Sequence, residues 1–131
     1  MNVYSGTALQ AIARDAQNHY PLECCGIIDS HGLIHEAENI AEKKTQQFRI
    51  SGGWFQRQQR EHGIAAIYHS HCDRLAFPSA ADMNGLVLPE LPYIVASVIH
   101  GVCKHIGIFK LITRGSKQVF EPTKWWENNA V

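Results

Sequence analysis

The chain has 131 residues, with twelve basic side chains balanced by twelve acidic ones. That length suits one domain with a real hydrophobic core, and it excludes a TIM barrel, which needs at least ~200 residues, along with the barrel-type metallohydrolases that carry an H-x-H strand. The zero formal charge leaves no basic surplus for nucleic acid, and no apolar run reaches the roughly 18 residues of a membrane span. The opening Met1-Asn2-Val3-Tyr4 is not expected to be a signal peptide. Cys24, Cys25, Cys72 and Cys103 contain no C-x-x-C pair, so no disulfide framework is expected and a cytoplasmic location is.

The first element is a helix over Thr7 to Asn18. Leu9, Ile12, Ala13 and Ala16 keep helical spacing, Ser5 or Thr7 can cap it, and Pro21 marks its end. Cys24 to Ile28 is almost continuously apolar and reads as a central strand, with Glu23 at its start. Ser30-His31-Gly32 is a turn, and Leu33 to Glu38 returns as the second strand of a hairpin. Asn39 to Gln46 is a polar loop and Phe48-Arg49-Ile50 a short strand. Ser51 caps a second helix, about Trp54 to His62, which Gly63 ends. Ile64 to Tyr68 is a buried strand, and Pro78 and Ser79 open a helix over Ala80 to Leu88, stopped by Pro89. Three strands follow: Tyr93 to His100, Lys104 or His105 to Ile112, and Lys117 to Phe120. Residues 121–131 are expected as a tail on a core of about 3–120, with one ring of Trp125-Trp126 docked on the domain or offered to a partner. This order predicts one α/β domain over 1–131, a mixed sheet flanked by helices.

The chemistry concentrates in residues 68–82. The pattern is H-x-H, seven residues, then S-x-x-D: His69, His71, Ser79 and Asp82. Side chains two apart on a strand share a face, and residues three apart on a helix are neighbours. A strand end facing a helix start therefore brings two imidazoles and a carboxylate to one point. Such a set suits zinc, and three protein ligands leave a fourth position for a water whose pKa falls towards about 7. Ser79-x-x-Asp82 also has the form of a capping box, and the two readings are compatible because a capping residue can still face a metal. Glu23 is either a solvated strand end or, if its strand end lies beside the zinc, a general acid–base. Cys72 needs no part in this set. His19, His31, His35, His62, His100 and His105 have no partner at ligand spacing and read as surface or turn histidines.

Glu23, His69-Ser70-His71, Ser79 and Asp82 together resemble the motif of the JAMM (MPN-plus) zinc metalloproteases. The stretches Pro21-Leu22-Glu23-Cys24-Cys25-Gly26 and Ile67-Tyr68-His69-Ser70-His71 look like the corresponding strands of compact bacterial and phage members. The resemblance implies the MPN fold, similar to the three-layer arrangement of cytidine deaminases. It implies zinc held by His69, His71 and Asp82, Glu23 as base and acid, and Ser79 as donor to the oxyanion. It is the resemblance that selects Glu23 over Asp73 or Glu61. Cys72 departs from the family, where proline commonly follows the second histidine.

The expected activity is zinc-dependent hydrolysis of a peptide or isopeptide bond. The long insertions of deubiquitinating members are missing between Asp82 and the next strand. The expected partner is therefore a protein or peptide, such as a small ubiquitin-like sulfur carrier with a Gly-Gly tail, and neither nucleic acid nor a membrane. The alternatives are a phage tail assembly part, here without the cell-wall hydrolase domain that usually follows, and a non-catalytic MPN scaffold. A zinc deaminase would need H-x-E and paired cysteines, which His69-Ser70-His71 and the cysteine spacing do not offer.

Overall fold

A computed structural model describes residues 5–79, 82 and 90–129. The elements are α1 (Gly6–His19), β1 (Cys25–Asp29), β2 (Ile34–Ala37), α2 (Gly52–Glu61), β3 (Ile64–Cys72), β4 (Tyr93–Ile99), β5 (Val102–Arg114) and β6 (Lys117–Glu127). They build one six-stranded sheet in the order β2-β1-β3-β4-β5-β6. β3 and β4 run parallel, and every other neighbouring pair is antiparallel. The expected mixed α/β sheet is therefore present. Of the helix predicted over Ala80 to Leu88, all but Asp82 lies outside the described residues.

Side chains alternate between the sheet's two faces, and each face carries its own core. Ile28, Ala66, Tyr68, Ile94, Ala96, Val98, Ile106 and Ile108 pack with Ala8, Leu9, Ile12, Ala13 and Ala16 of α1. Cys25, Ile27, Ile67, Tyr93, Val95 and Phe109 form the opposite face, with Trp54 and Phe55 of α2 against it. The sheet lies between the helices because β1, β3 and β4 are apolar on both sides, whereas each helix is apolar on one. Ser5, not Thr7, caps α1, accepting from the Ala8 amide at 3.2 Å. Among the described residues no helix is long and apolar enough to cross a membrane.

Two close approaches fix the layers. The Tyr68 hydroxyl donates to Asp15 Oδ2 of α1 at 2.7 Å. To get there its ring passes over Gly26, where an added Cβ would stand 2.6 Å from the ring. On the other face the Ala76 carbonyl lies over Gly107 of β5, where a Cβ would meet it at 2.6 Å.

The structure differs from the sequence reading in two places. Phe48 to Ile50 joins no strand ladder among the described residues; the Arg49 amide donates to Asn39 Oδ1, and the Arg49 carbonyl accepts from the Ile40 amide. Phe48 and Ile50 are apolar because they are buried against the sheet face, not because they belong to the ladder. β6 does not stop at Phe120: it pairs with β5 as far as His105 opposite Glu127. Pro122 reads as a break, yet an edge strand tolerates a residue without an N–H, and the register shifts between Ile108 and Phe109 where Pro122 pairs. Trp125 and Trp126 therefore alternate within β6. Trp126 packs on the α1-side core, and Trp125 lies half exposed against Phe77 and His105.

Candidate metal centre

The site is assembled by register. Cys25 pairs with His69 across β1 and β3. Carrying that antiparallel register two residues further sets Glu23 level with His71. The four alternate on one face, so Glu23, His69 and His71 project to the same side. The Cys24 amide donates to Ser70 Oγ at 2.8 Å, which holds the start of β1 against β3 at this point. β4 backs the histidines on the other flank, with His69 opposite Val95 and His71 opposite Ser97.

Asp82 completes the group. Its Oδ2 lies 3.0 Å from His71 Nε2, and its Oδ1 lies 3.4 Å from His69 Nε2. For metal–ligand bonds of about 2.0–2.2 Å the edge of a tetrahedron is roughly 3.3–3.6 Å, so these separations are close to those of ligands on one zinc. His71 Nδ1 faces the Leu75 carbonyl at 2.9 Å. A carbonyl only accepts, so Nδ1 carries a proton and donates it there, leaving the neutral ring's lone pair on Nε2. That lone pair then faces a carboxylate oxygen, and two acceptors at this distance require a cation between them, a proton or a metal.

The other polar atoms fit the same conclusion. Both His69 nitrogens, Glu23 Oε1 and Ser79 Oγ are buried and make no hydrogen bond among the described residues. Such groups cost about 1–3 kcal/mol each when left unpaired, so four in one site mark a place built for a ligand. His69 is fully buried, its ring stacked on Phe48 at 4.3 Å and tilted against Tyr93 at 5.2 Å. Burial pushes its pKa down, which keeps the imidazole neutral and able to ligate. Burial alone would raise Asp82, but His69, His71 and the Ser79 amide outweigh it and hold the carboxylate well below its usual range. Glu23 goes the other way: burial raises it to about 7, opposed by His71 and Arg74.

Arg74 was not legible as a site residue. Its guanidinium pairs with Glu23 Oε2 across a wide sequence gap. The loop holding it is pinned on several sides: the Asp73 amide donates to the Val98 carbonyl at 2.7 Å, Asp73 Oδ2 accepts from Tyr20 at 2.7 Å, and the Arg74 carbonyl accepts from Ser97 Oγ. Phe48, read as a strand residue, is a wall of the histidine pocket. Cys72 is only partly buried, and burial and nearby carboxylates push its thiol up to about 11, away from nucleophilic use. Ser79 and Asp82 make half of the capping box: Asp82 Oδ2 accepts from the Ser79 amide at 2.8 Å, while Ser79 Oγ is left for something else.

Comparison with known proteins gives the family and the fold. The profile of the family described as "Prokaryotic homologs of the JAB domain" matches residues 6–106. The chain is 27% identical over 92 residues to tail tip assembly protein K of Escherichia phage N15, covering 68% of this chain. It spans only 38% of that relative's length. A solution structure of a protein from Salinibacter ruber superimposes with a TM-score of 0.62 at 21% identity, covering 95% of this chain and 90% of that one. One from Desulfitobacterium hafniense does so with a TM-score of 0.62 at 18% identity, covering 89% and 87%. At these identities the two structures speak for the fold alone.

Proposed function

The chain belongs to the prokaryotic homologs of the JAB domain, and from that premise we propose that it is a zinc-dependent peptidase or isopeptidase. The observation carrying this reading is the convergence of His69, His71 and Asp82 with the buried Glu23 carboxylate and the buried Ser79 hydroxyl oxygen. His69, His71 and Asp82 are the proposed ligands. A zinc bound there supplies a Lewis acid and lowers the pKa of a coordinated water towards about 7.

The remaining chemistry belongs to the chain. Glu23, raised to about 7, has the proton affinity of a base that takes a proton near neutral pH and returns it to a leaving amine. Arg74 orients its carboxylate through Oε2 and leaves Oε1 without a partner among the described residues. Ser79 Oγ donates to the oxyanion as the carbonyl becomes tetrahedral. Phe48 and Tyr93 exclude water around His69, which strengthens every charge interaction in the site. The substrate we propose is the C-terminal tail of a small ubiquitin-like or sulfur-carrier protein, whose Gly-Gly end lies flat enough for a site set in a sheet face.

A carrier extended by a short peptide beyond its Gly-Gly end tests this. The zinc-loaded chain should release the peptide, and Glu23→Gln or chelation should reduce the rate at least a hundred-fold. Equal cleavage by wild type and Glu23→Gln would overturn the reading. The likeness to a phage tail tip assembly protein favours a second reading, an assembly part using the same domain. Zinc binding without cleavage of any carrier fusion, together with association with tail proteins, would select it.

A further inference from the structure

We propose that the chain carries a second site for a divalent transition metal, formed by Asp29, His35 and His62 at the end of β1 remote from Glu23. Asp29 ends β1, His35 lies in β2, and His62 follows the last turn of α2. Asp29 follows Glu23 by six residues along the chain, which in an extended strand at ~3.3 Å per residue places this cluster about 20 Å from the first. One ligand atom from each of the three residues lies within 4.8 Å of the others.

Each group is fixed independently of any metal. Asp29 is buried, and its Oδ1 accepts from the amides of His31 at 2.8 Å and Leu33 at 3.1 Å, so its carboxylate is locked by the hairpin turn. Its Oδ2 lies 2.7 Å from His35 Nε2. His62 is held by its backbone: Ser30 Oγ donates to its carbonyl, and the Ser30 amide donates to the Gly63 carbonyl at 3.2 Å. The hairpin therefore grips the end of α2 and presses the His62 ring onto His35, at a centroid distance of 4.7 Å and an interplanar angle of 23°.

Asp29, His35 and His62 bring one carboxylate oxygen and two imidazole nitrogens to one point, the mixed donor set that a borderline divalent transition metal takes. A divalent cation satisfies both rings at once, and two nitrogens with one oxygen suit Zn2+, Ni2+ or Cu2+ rather than Mg2+ or Ca2+. The imidazoles are partly open, at 26% and 40% side-chain exposure, so an ion and its waters have a way in. Glu61 Oε2, 3.8 Å from His62 Nε2, stands by on the solvent side. Bound there, a metal would clip α2 to the β1–β2 hairpin. The site is independent of the proposed hydrolytic function.

The test is Zn2+ stoichiometry of the full chain after chelator stripping, read by calorimetry and elemental analysis. Wild type should take two equivalents, His69→Ala/His71→Ala one, and His35→Gln/His62→Gln one. In His62→Gln alone the second equivalent should bind at least ten-fold more weakly. A single equivalent lost with His69 and His71, or a second one indifferent to His35 and His62, would overturn the proposal. Should the histidine variants misfold, wild type decides: substoichiometric Cu2+ should broaden the ring resonances of His35 and His62, and sharp rings with copper bound elsewhere would sink it.

Discussion

Glu23 sits where burial opposes its charge. Its carboxyl is buried and raised from 4.5 to about 7. Between those values the native chain holds a proton that the unfolded chain has released, so stability falls as pH rises. The contribution is intact below about 4.5 and lost above about 7, and a shift of that size corresponds to about 3 kcal/mol. Urea midpoints of metal-free wild type and Glu23→Gln, compared at about pH 5 and about pH 8, should show the variant gaining by that amount. A gap independent of pH would refute it. Glu23 was found by resemblance and its level with His71 by register. Arg74 escaped because nothing local marks it, its contact depending on a loop that Asp73 and Ser97 pin from outside.

At the scale of elements, the loop after β3 makes the contacts that orient the His69–His71–Asp82 group. The Leu75 carbonyl orients His71, and the next carbonyl, that of Ala76, rests on Gly107. A methyl at residue 107 would push that backbone away from β5. Gly107→Ala should therefore weaken zinc binding at His69 and His71 roughly ten-fold or more, the usual cost of disturbing a group that orients a ligand. Competition with a chromophoric chelator measures this, with circular dichroism confirming a retained fold; unchanged affinity would disprove the coupling. The strands were legible because β1, β3 and β4 are bounded apolar runs. The stretch 48–50 misled because burial and strand pairing leave the same composition. His35 and His62 were read as isolated because only the grip of Ser30 on the end of α2 brings them together.

At the scale of the whole molecule, β6 is part of the sheet and not an appendage. Truncation after Phe120 removes its pairing with β5 from Glu121 to Glu127 and uncovers the core beneath Trp126. It should lower stability by at least about 2 kcal/mol, from the lost tryptophan packing alone. An unchanged thermal or urea midpoint would show that the strand is dispensable. The sequence pointed to the domain and to the ligand set but not to this edge, because Pro122 signals a break everywhere except on an outer strand.

The position of β3 in that sheet has a consequence for how such a protein can change. β3 is flanked by β1 and β4: His69 is paired on both sides, opposite Cys25 and Val95, and His71 on the β4 side, opposite Ser97. His69 is therefore not released by the fraying of one strand end. Arg74, the Leu75 carbonyl and Asp82, by contrast, come from the segment after β3, outside the paired ladder. Change in that segment can alter what surrounds the two imidazoles while the sheet keeps their spacing.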